Sequence, residues 1–296
     1  MCGGRITETS RRAARPRRTG FSLMELLVVI GIMGILATVS IPSIRGLTHS
    51  NTMVAAHRQL LDDLGLARQM AISGRTTVYM VFVPPLNPTV LQRVMTDPAV
   101  PLTLQRAQLQ VFTNLISGQF TAYALLTRHS VGDQPGQSTW RYLTEWRFLP
   151  GGYFINPLKF ATNSVAYFTN TFYQVTPVFS FDYAPFRFPT ELGTNTYLLP
   201  YLAFDATGEV YRDPGVGLNR LATAGNSPGA TIWLQRGSVF YNKEFITPKN
   251  KVGASEIAYY DLSRPPDLVA TPPGNGTLIR VNWLTGRARA EQPAVQ

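Results

Sequence analysis

Glu25 is the residue of this chain whose position most needs a chemical reason. It lies in RRTGFSLMELLVVIGIMGILATVSIPSIRG (Arg17–Gly46), close to the start of an otherwise apolar run. A carboxylate in a bilayer core is costly unless it is paired, snorkelled or protonated. Other candidates for chemistry are sparse. His49, His57 and His129 are scattered, two of them in a stretch that reads as helix, which is not a metal set or a nucleophile–base arrangement. The sequence has no Gly-x-Ser-x-Gly elbow and no Walker loop. Cys2 is the sole cysteine, which excludes an intramolecular disulfide and a thiolate cluster. No catalytic residue, metal ligand set or cofactor is expected. Asp205 and Glu209 flank a turn where two carboxylates suit calcium, although solvated turn acids have the same pattern. Asn275-Gly276-Thr277 matches a glycosylation acceptor, and a loop rich in proline and glycine explains it equally well.

The elements that must position Glu25 follow from charge and hydropathy. Residues 1–20 hold six arginines against one glutamate, which is +5 of a net +10 over 296 residues. No charge occurs between Glu25 and Arg45, nearly enough length for a spanning helix. Arginines before the run and few basic residues after it favour a cytoplasmic N-terminus. A cleaved secretory signal fits less well, because the run exceeds the usual apolar region and no A-x-A-like site closes it. The pairs Arg11–Arg12 and Arg17–Arg18 also permit a twin-arginine reading. An uncleaved signal anchor would account for the hydrophobicity but not for Glu25.

Gly20-Phe21-Ser22-Leu23-Met24-Glu25, followed by LLVVIGIMGILATVSIP, resembles the prepilin signal of type IV pilins and type II secretion pseudopilins. That resemblance implies cleavage between Gly20 and Phe21 by a cytoplasmic-side prepilin peptidase, N-methylation of the Phe21 amine, and retention of the apolar helix. It implies an assembly role for Glu25, paired with the terminal amine of a neighbouring subunit, and a loosened helix at Pro42. Cleavage would place the new ammonium four residues before Glu25, on the same helix face. The carboxylate also suits the positive end of the helix dipole.

Downstream, Met53, Leu60, Leu64, Ala67 and Ala71 draw an apolar helical stripe. A helix from about Phe21 to Ile72 would be roughly 78 Å long at about 1.5 Å per residue. Gly31, Gly34 and Ala37 offer close helix approach. After Gly74 the period changes to two. Strands are expected at Thr76–Val83, Ser138–Leu149, Val178–Tyr183, Tyr201–Arg212, Ala230–Phe240 and Thr277–Ala290, with glycine turns at Gly208 and Gly286. Proline-rich stretches from Pro84 to Pro101 and from Thr176 to Pro200 read as loops or an elaborated insertion. The Tyr and Phe clusters between Tyr167 and Phe188 read as insertion core or a contact surface.

The C-terminal strands resemble those of the minor pseudopilin H and of FimT-like pilins, which end on a Gly-Arg-x-Arg pattern. In that resemblance Arg280, Arg287 and Arg289 are candidates for contact with DNA phosphates. A solvated strand face with an arginine paired to Glu291 is the other reading.

The expected fold is α+β. A long N-terminal helix, with a membrane half and an amphipathic half, packs on a mainly antiparallel β head with a large insertion. The expected boundaries are a basic leader at 1–20, removed; a helix at 21–73, transmembrane at about 23–44; and a periplasmic or extracellular head at 74–296, with the insertion at about 84–200. The function expected is a minor pilin or pseudopilin held in the inner membrane. Its partners would be the prepilin peptidase and N-methyltransferase, other pilin or pseudopilin subunits, the inner-membrane assembly platform, and DNA if the subunit serves uptake. The alternative is a signal-anchored extracytoplasmic β-domain enzyme or carbohydrate-binding protein.

Overall fold

The computed structural model describes residues 22–90, 101–129, 139–161, 165–169, 175–192, 195–211, 231–246, 257–260, 262–270 and 276–291. The chain divides into two compact units, residues 1–50 and 51–296. Helix α1 (Leu23–Gly74) supplies the described part of the first and opens the second. The second unit therefore begins at Asn51 rather than after the helix, and its β body incorporates the amphipathic half of α1.

Strand β1 (Val78–Phe82) lies at the centre of this body, with every residue buried. It pairs antiparallel with β2 (Ala122–Thr127) on one side and β9 (Thr196–Phe204) on the other. Its side chains divide by parity. Val78, Met80 and Phe82 join Leu60, Leu64, Ala67 and Ala71 of α1, whereas Tyr79 and Val81 join Phe112, Leu115 and Ile116 of helix α2 (Leu102–Ile116). The sheet is thus covered by a helix on each face. A strand covered on both faces is apolar throughout instead of alternating. The stripe expected on α1 is the stripe buried: Leu60, Leu64, Ala67 and Ala71 are fully buried and Met53 is half-buried.

The same sheet takes β10 (Val210–Tyr211) and β8 (Asp182–Arg187) on β9, and β3 (Arg141–Tyr142) and β4 (Arg147–Phe148) on β2. A second antiparallel sheet is organised by β11 (Thr231–Phe240), which pairs with β5 (Tyr153–Ile155), β14 (Asp267–Ala270) and β15 (Gly276–Val281); β15 then pairs with β16 (Ala288–Glu291). Two separate ribbons complete the described strands, β6 (Val165–Thr169) with β7 (Val175–Phe179) and β12 (Lys243–Ile246) with β13 (Ile257–Tyr260).

Several expectations need correction. Ser138–Leu149 is not one strand. The amides of Leu143 and Thr144 both approach the Leu125 carbonyl, at 2.8 and 3.4 Å, and this bulge separates β3 from β4. Thr176–Pro200 is not a loop region, because it holds β8 and the first half of β9. Pro185 is tolerated in β8 because that strand pairs only with β9 among the described residues. The described part of 84–200 supplies α2, β2, β3, β4, β5, β8 and the start of β9 to the body, besides the separate ribbon of β6 and β7. Val178–Tyr183 spans the end of β7 and the start of β8.

A polar cluster ties α1 to the sheet. Asp63, 5% exposed at its side chain, accepts from the Tyr123 hydroxyl at 2.6 Å and pairs with the Arg147 guanidinium. Gln59 donates to the Tyr123 oxygen at 3.0 Å and to the Phe148 carbonyl at 2.9 Å. Burial and the hydrogen bond to Asp63 push the Tyr123 phenol upward, which keeps it a donor.

The C-terminal turns are also fixed against α1. Gly208 and Gly286 have φ of 86° and 62°, a region glycine enters freely. A Cβ on Gly286 would lie 2.0 Å from the Gly208 carbonyl oxygen, so the two turns touch backbone to backbone. Arg68 of α1 donates to the Thr285 carbonyl at 2.7 Å.

Candidate functional site

The N-terminal motif is the region where residue types and geometry meet. Ser22 caps α1. Its hydroxyl accepts from the Met24 amide at 3.2 Å, and its carbonyl accepts from the Leu26 amide at 3.1 Å. Ser22-Leu23-Met24-Glu25 therefore has the S-x-x-E spacing of a capping box, with Glu25 exposed at the third helical position. Sequence reasoning missed Ser22, although a serine three residues before a glutamate and ahead of an apolar run was a legible signal. Glu25 stands at a helix start rather than within the apolar run, where a carboxylate is favourable. Gly20 and Phe21 lie outside the described residues. Pro42 lies within the backbone span of α1, and its side chain is outside the described residues.

Beyond the cap the helix exposes large apolar side chains. Leu26, Leu27, Val28, Val29 and Ile30 are 39–59% exposed. Five successive residues cover every direction around a helix of about 3.6 residues per turn. Ile32, Met33, Ile35 and Leu36 extend the same surface. A helix apolar all round belongs in a dry environment. A Cβ on Gly31 or Gly34 would meet nothing within 4 Å among the described residues. Among the described residues, no helix is long and apolar enough to cross a membrane. The described apolar side chains end at Leu36, whereas the uncharged run of the sequence continues to Ile44.

One Asp205 carboxylate oxygen accepts from the Thr207 amide (2.9 Å), the Thr207 hydroxyl (2.6 Å) and the Glu209 amide (3.0 Å), holding the turn into β10. Among the described residues no three histidine, cysteine or acidic side chains converge as a metal site. His57 is buried, its Nε2 lacks a hydrogen-bond partner, and burial lowers its pKa. The side chain of His49 and the whole of Asn275 lie outside the described residues.

The C-terminal arginines do come together. Arg280 and Arg289 are register partners across β15 and β16, and both reach Glu291, at 3.2 and 3.0 Å. Arg287 precedes β16 and is exposed. Glu291 therefore offsets part of the positive charge that the sequence grouped there. Sequence reasoning also missed Lys159. It is fully buried, with its ammonium nitrogen 4.5 Å from the Phe181 ring centre. Burial pushes its pKa down to about 7, against a smaller upward pull from Asp182.

Residues 15–41 match the prokaryotic N-terminal methylation motif. The chain carries a prepilin-type N-terminal signal, the kind borne by type IV pilin and pseudopilin precursors. That motif implies processing by a prepilin peptidase and a structural subunit. No curated protein and no solved structure matches the chain. The likeness of the head to minor pseudopilin H and FimT-like pilins rests on its strand–glycine–strand pattern and its Gly-Arg-x-Arg ending.

Proposed function

We propose that this chain is the precursor of a minor pilin or pseudopilin subunit. The peptidase cuts after Gly20, the Phe21 amine is methylated, and the apolar helix keeps the subunit in the inner membrane. The head, from Asn51 onward, stands on the periplasmic side until assembly draws it into a type IV pilus or a secretion pseudopilus. The observation that carries this reading is the methylation motif at 15–41, within which α1 begins at Leu23 and exposes apolar side chains on every side. Lipid first, and then neighbouring helices, would supply the dry contact that helix lacks in the isolated chain.

Within this reading Glu25 has two uses in sequence. In the single subunit it favours the helix start. In the assembly it pairs with the Phe21 ammonium of a neighbour, and because a buried charge left alone is destabilising, the pair fixes register. DNA is a further partner under this reading through Arg287 and Arg289, with Glu291 limiting the charge they present.

Two substitutions test the proposal. Gly20→Val fills the scissile position and is expected to leave residues 1–20 attached to membrane-bound protein; normal maturation would count against the prepilin reading. Glu25→Leu is expected to enter the membrane at least as well as the native chain. It should nevertheless be absent from sheared filaments, and native-level incorporation would remove the pairing role.

A further inference from the structure

The head carries a groove unrelated to the N-terminal signal. The end of α2, the bulged segment between β3 and β4, and residues 189–192 beyond β8 enclose an open cleft of about 650 Å³. That is within the usual range of about 300–1,000 Å³ for ligand sites. One wall is aromatic and held in place. The Trp146 indole donates to the Pro189 carbonyl at 2.9 Å, and its ring meets Phe188 edge-on at 5.7 Å. The Tyr142 hydroxyl donates to the Arg187 carbonyl at 2.7 Å, and its ring lies 5.7 Å from that of Trp146. Phe148 and Leu192 line the cleft while 41% and 51% exposed.

The charge of the cleft is the opposite of the chain's. Lysine and arginine outnumber acids 27 to 17, yet the charged side chains lining the groove are Glu145 and Glu191, both exposed. Glu191 accepts the Tyr142 amide at 3.1 Å through one oxygen. The nearby Arg187 guanidinium donates to the Glu191 backbone carbonyl, at 3.0 Å.

We propose that this groove binds a short extended segment of a partner protein in which an arginine is flanked by apolar side chains. The planar guanidinium is the cation that uses both features of the site. It stacks on aromatic faces and forks onto carboxylates, while its apolar neighbours cover Phe148 and Leu192. The wall is already fixed by its own hydrogen bonds, so little ordering is needed on binding. A neutral sugar would use the aromatic faces but gains nothing from the reversal of charge. The inference does not depend on the prepilin reading.

The test uses the full chain in a non-ionic detergent and three probes: a fluorescein-labelled Leu-Arg-Leu-Arg-Leu peptide, its citrulline counterpart, and maltohexaose. The arginine peptide is expected to bind saturably and roughly tenfold more tightly than the uncharged citrulline peptide, the scale of two charge-assisted contacts. Glu145→Gln combined with Glu191→Gln should reduce arginine-peptide binding to the citrulline level and leave the citrulline peptide unchanged. The glutamine at 191 still accepts from the Tyr142 amide, so the wall is kept. Absence of saturable binding, equal affinity for the two peptides, or no effect of the double substitution overturns the proposal. Displacement of the arginine peptide by maltohexaose would assign the groove to a sugar and overturn it as well.

Discussion

The two halves of α1 solve opposite problems with the same backbone geometry. From Leu23 to Leu36 the apolar residues point in every direction and are exposed. From Met53 to Ala71 one stripe goes inside, with Leu60, Leu64, Ala67 and Ala71 fully buried, and Val54 is left 43% exposed. The second half finds its dry surface within its own unit, against Val78, Met80 and Phe82. The first finds none among its own side chains. Apolar pattern therefore indicates who the partner is: a stripe at helical spacing serves an internal sheet, and an all-round apolar segment serves lipid or other molecules.

Substitutions can break this contrast. The largest effect is expected from Leu64→Ala, which should destabilise the body by roughly 2–5 kcal/mol through lost burial and a cavity, measured by denaturant unfolding in detergent. Ile30→Ala should leave that unfolding curve unchanged. Equal losses at both sites would mean that the apolar pattern does not separate the two halves.

Lys159→Met sharpens the account of the body's interior. The lysine's folded pKa, about 7, lies below its ordinary 10.5 because of burial. Below about pH 7 the folded and unfolded chains both hold the proton, so the burial penalty is fully present. Between about 7 and 10.5 the unfolded chain binds more protons, so stability rises with pH. Lys159→Met should stabilise the protein by roughly 1–3 kcal/mol near pH 7 and flatten its stability between pH 7 and 10. A native protein with no such rise would show that the ammonium is accommodated inside.

Arg147→Met comes next. It leaves the buried Asp63 carboxylate with Tyr123 as a hydrogen-bond partner but no opposite charge. Because Arg147 is 42% exposed, solvent screening reduces the expected loss to about 1 kcal/mol. Asp63→Asn with Arg147→Met should lose less than the two single losses added together. Additive losses would mean that the pair does not couple α1 to β4.

What could be read in advance divides along the same line. The α1 stripe, β1, β11 and the turns at Gly208 and Gly286 were legible, because a helical period, β-branched runs and glycines at positive φ are local signals. The strand AYALLT (β2) was not, since burial on both faces removes the alternation that marks a strand and it lacks the β-branched run that gave β1 away. α2 was hidden behind Pro101, although the spacing of Phe112, Leu115 and Ile116 fits a buried helical face. The break between β3 and β4 depends on the Leu125 carbonyl, which lies far away in sequence. In the candidate site the motif was legible from residue types. An arginine paired to Glu291 was one of the two readings; that Arg280 and Arg289 share that glutamate needed the hairpin register.

The smallest effect concerns that hairpin. If it touches DNA, the full chain should retain duplex weakly at low salt and without sequence preference. Arg287→Ala with Arg289→Ala should then lower the salt slope by about 0.9 for each phosphate that is no longer neutralised. Retention unchanged in the double variant would leave these arginines with a purely structural role.

Under the proposed function the apolar helix of this chain is a processed and retained prepilin terminus. The most direct measurement is the intact mass and N-terminal residue of the protein extracted from its native membrane. Loss of residues 1–20, with a single methyl group on Phe21 and the helix retained, is the result expected. A membrane-bound chain that still begins at Met1, or one cut beyond Ile44, would contradict it.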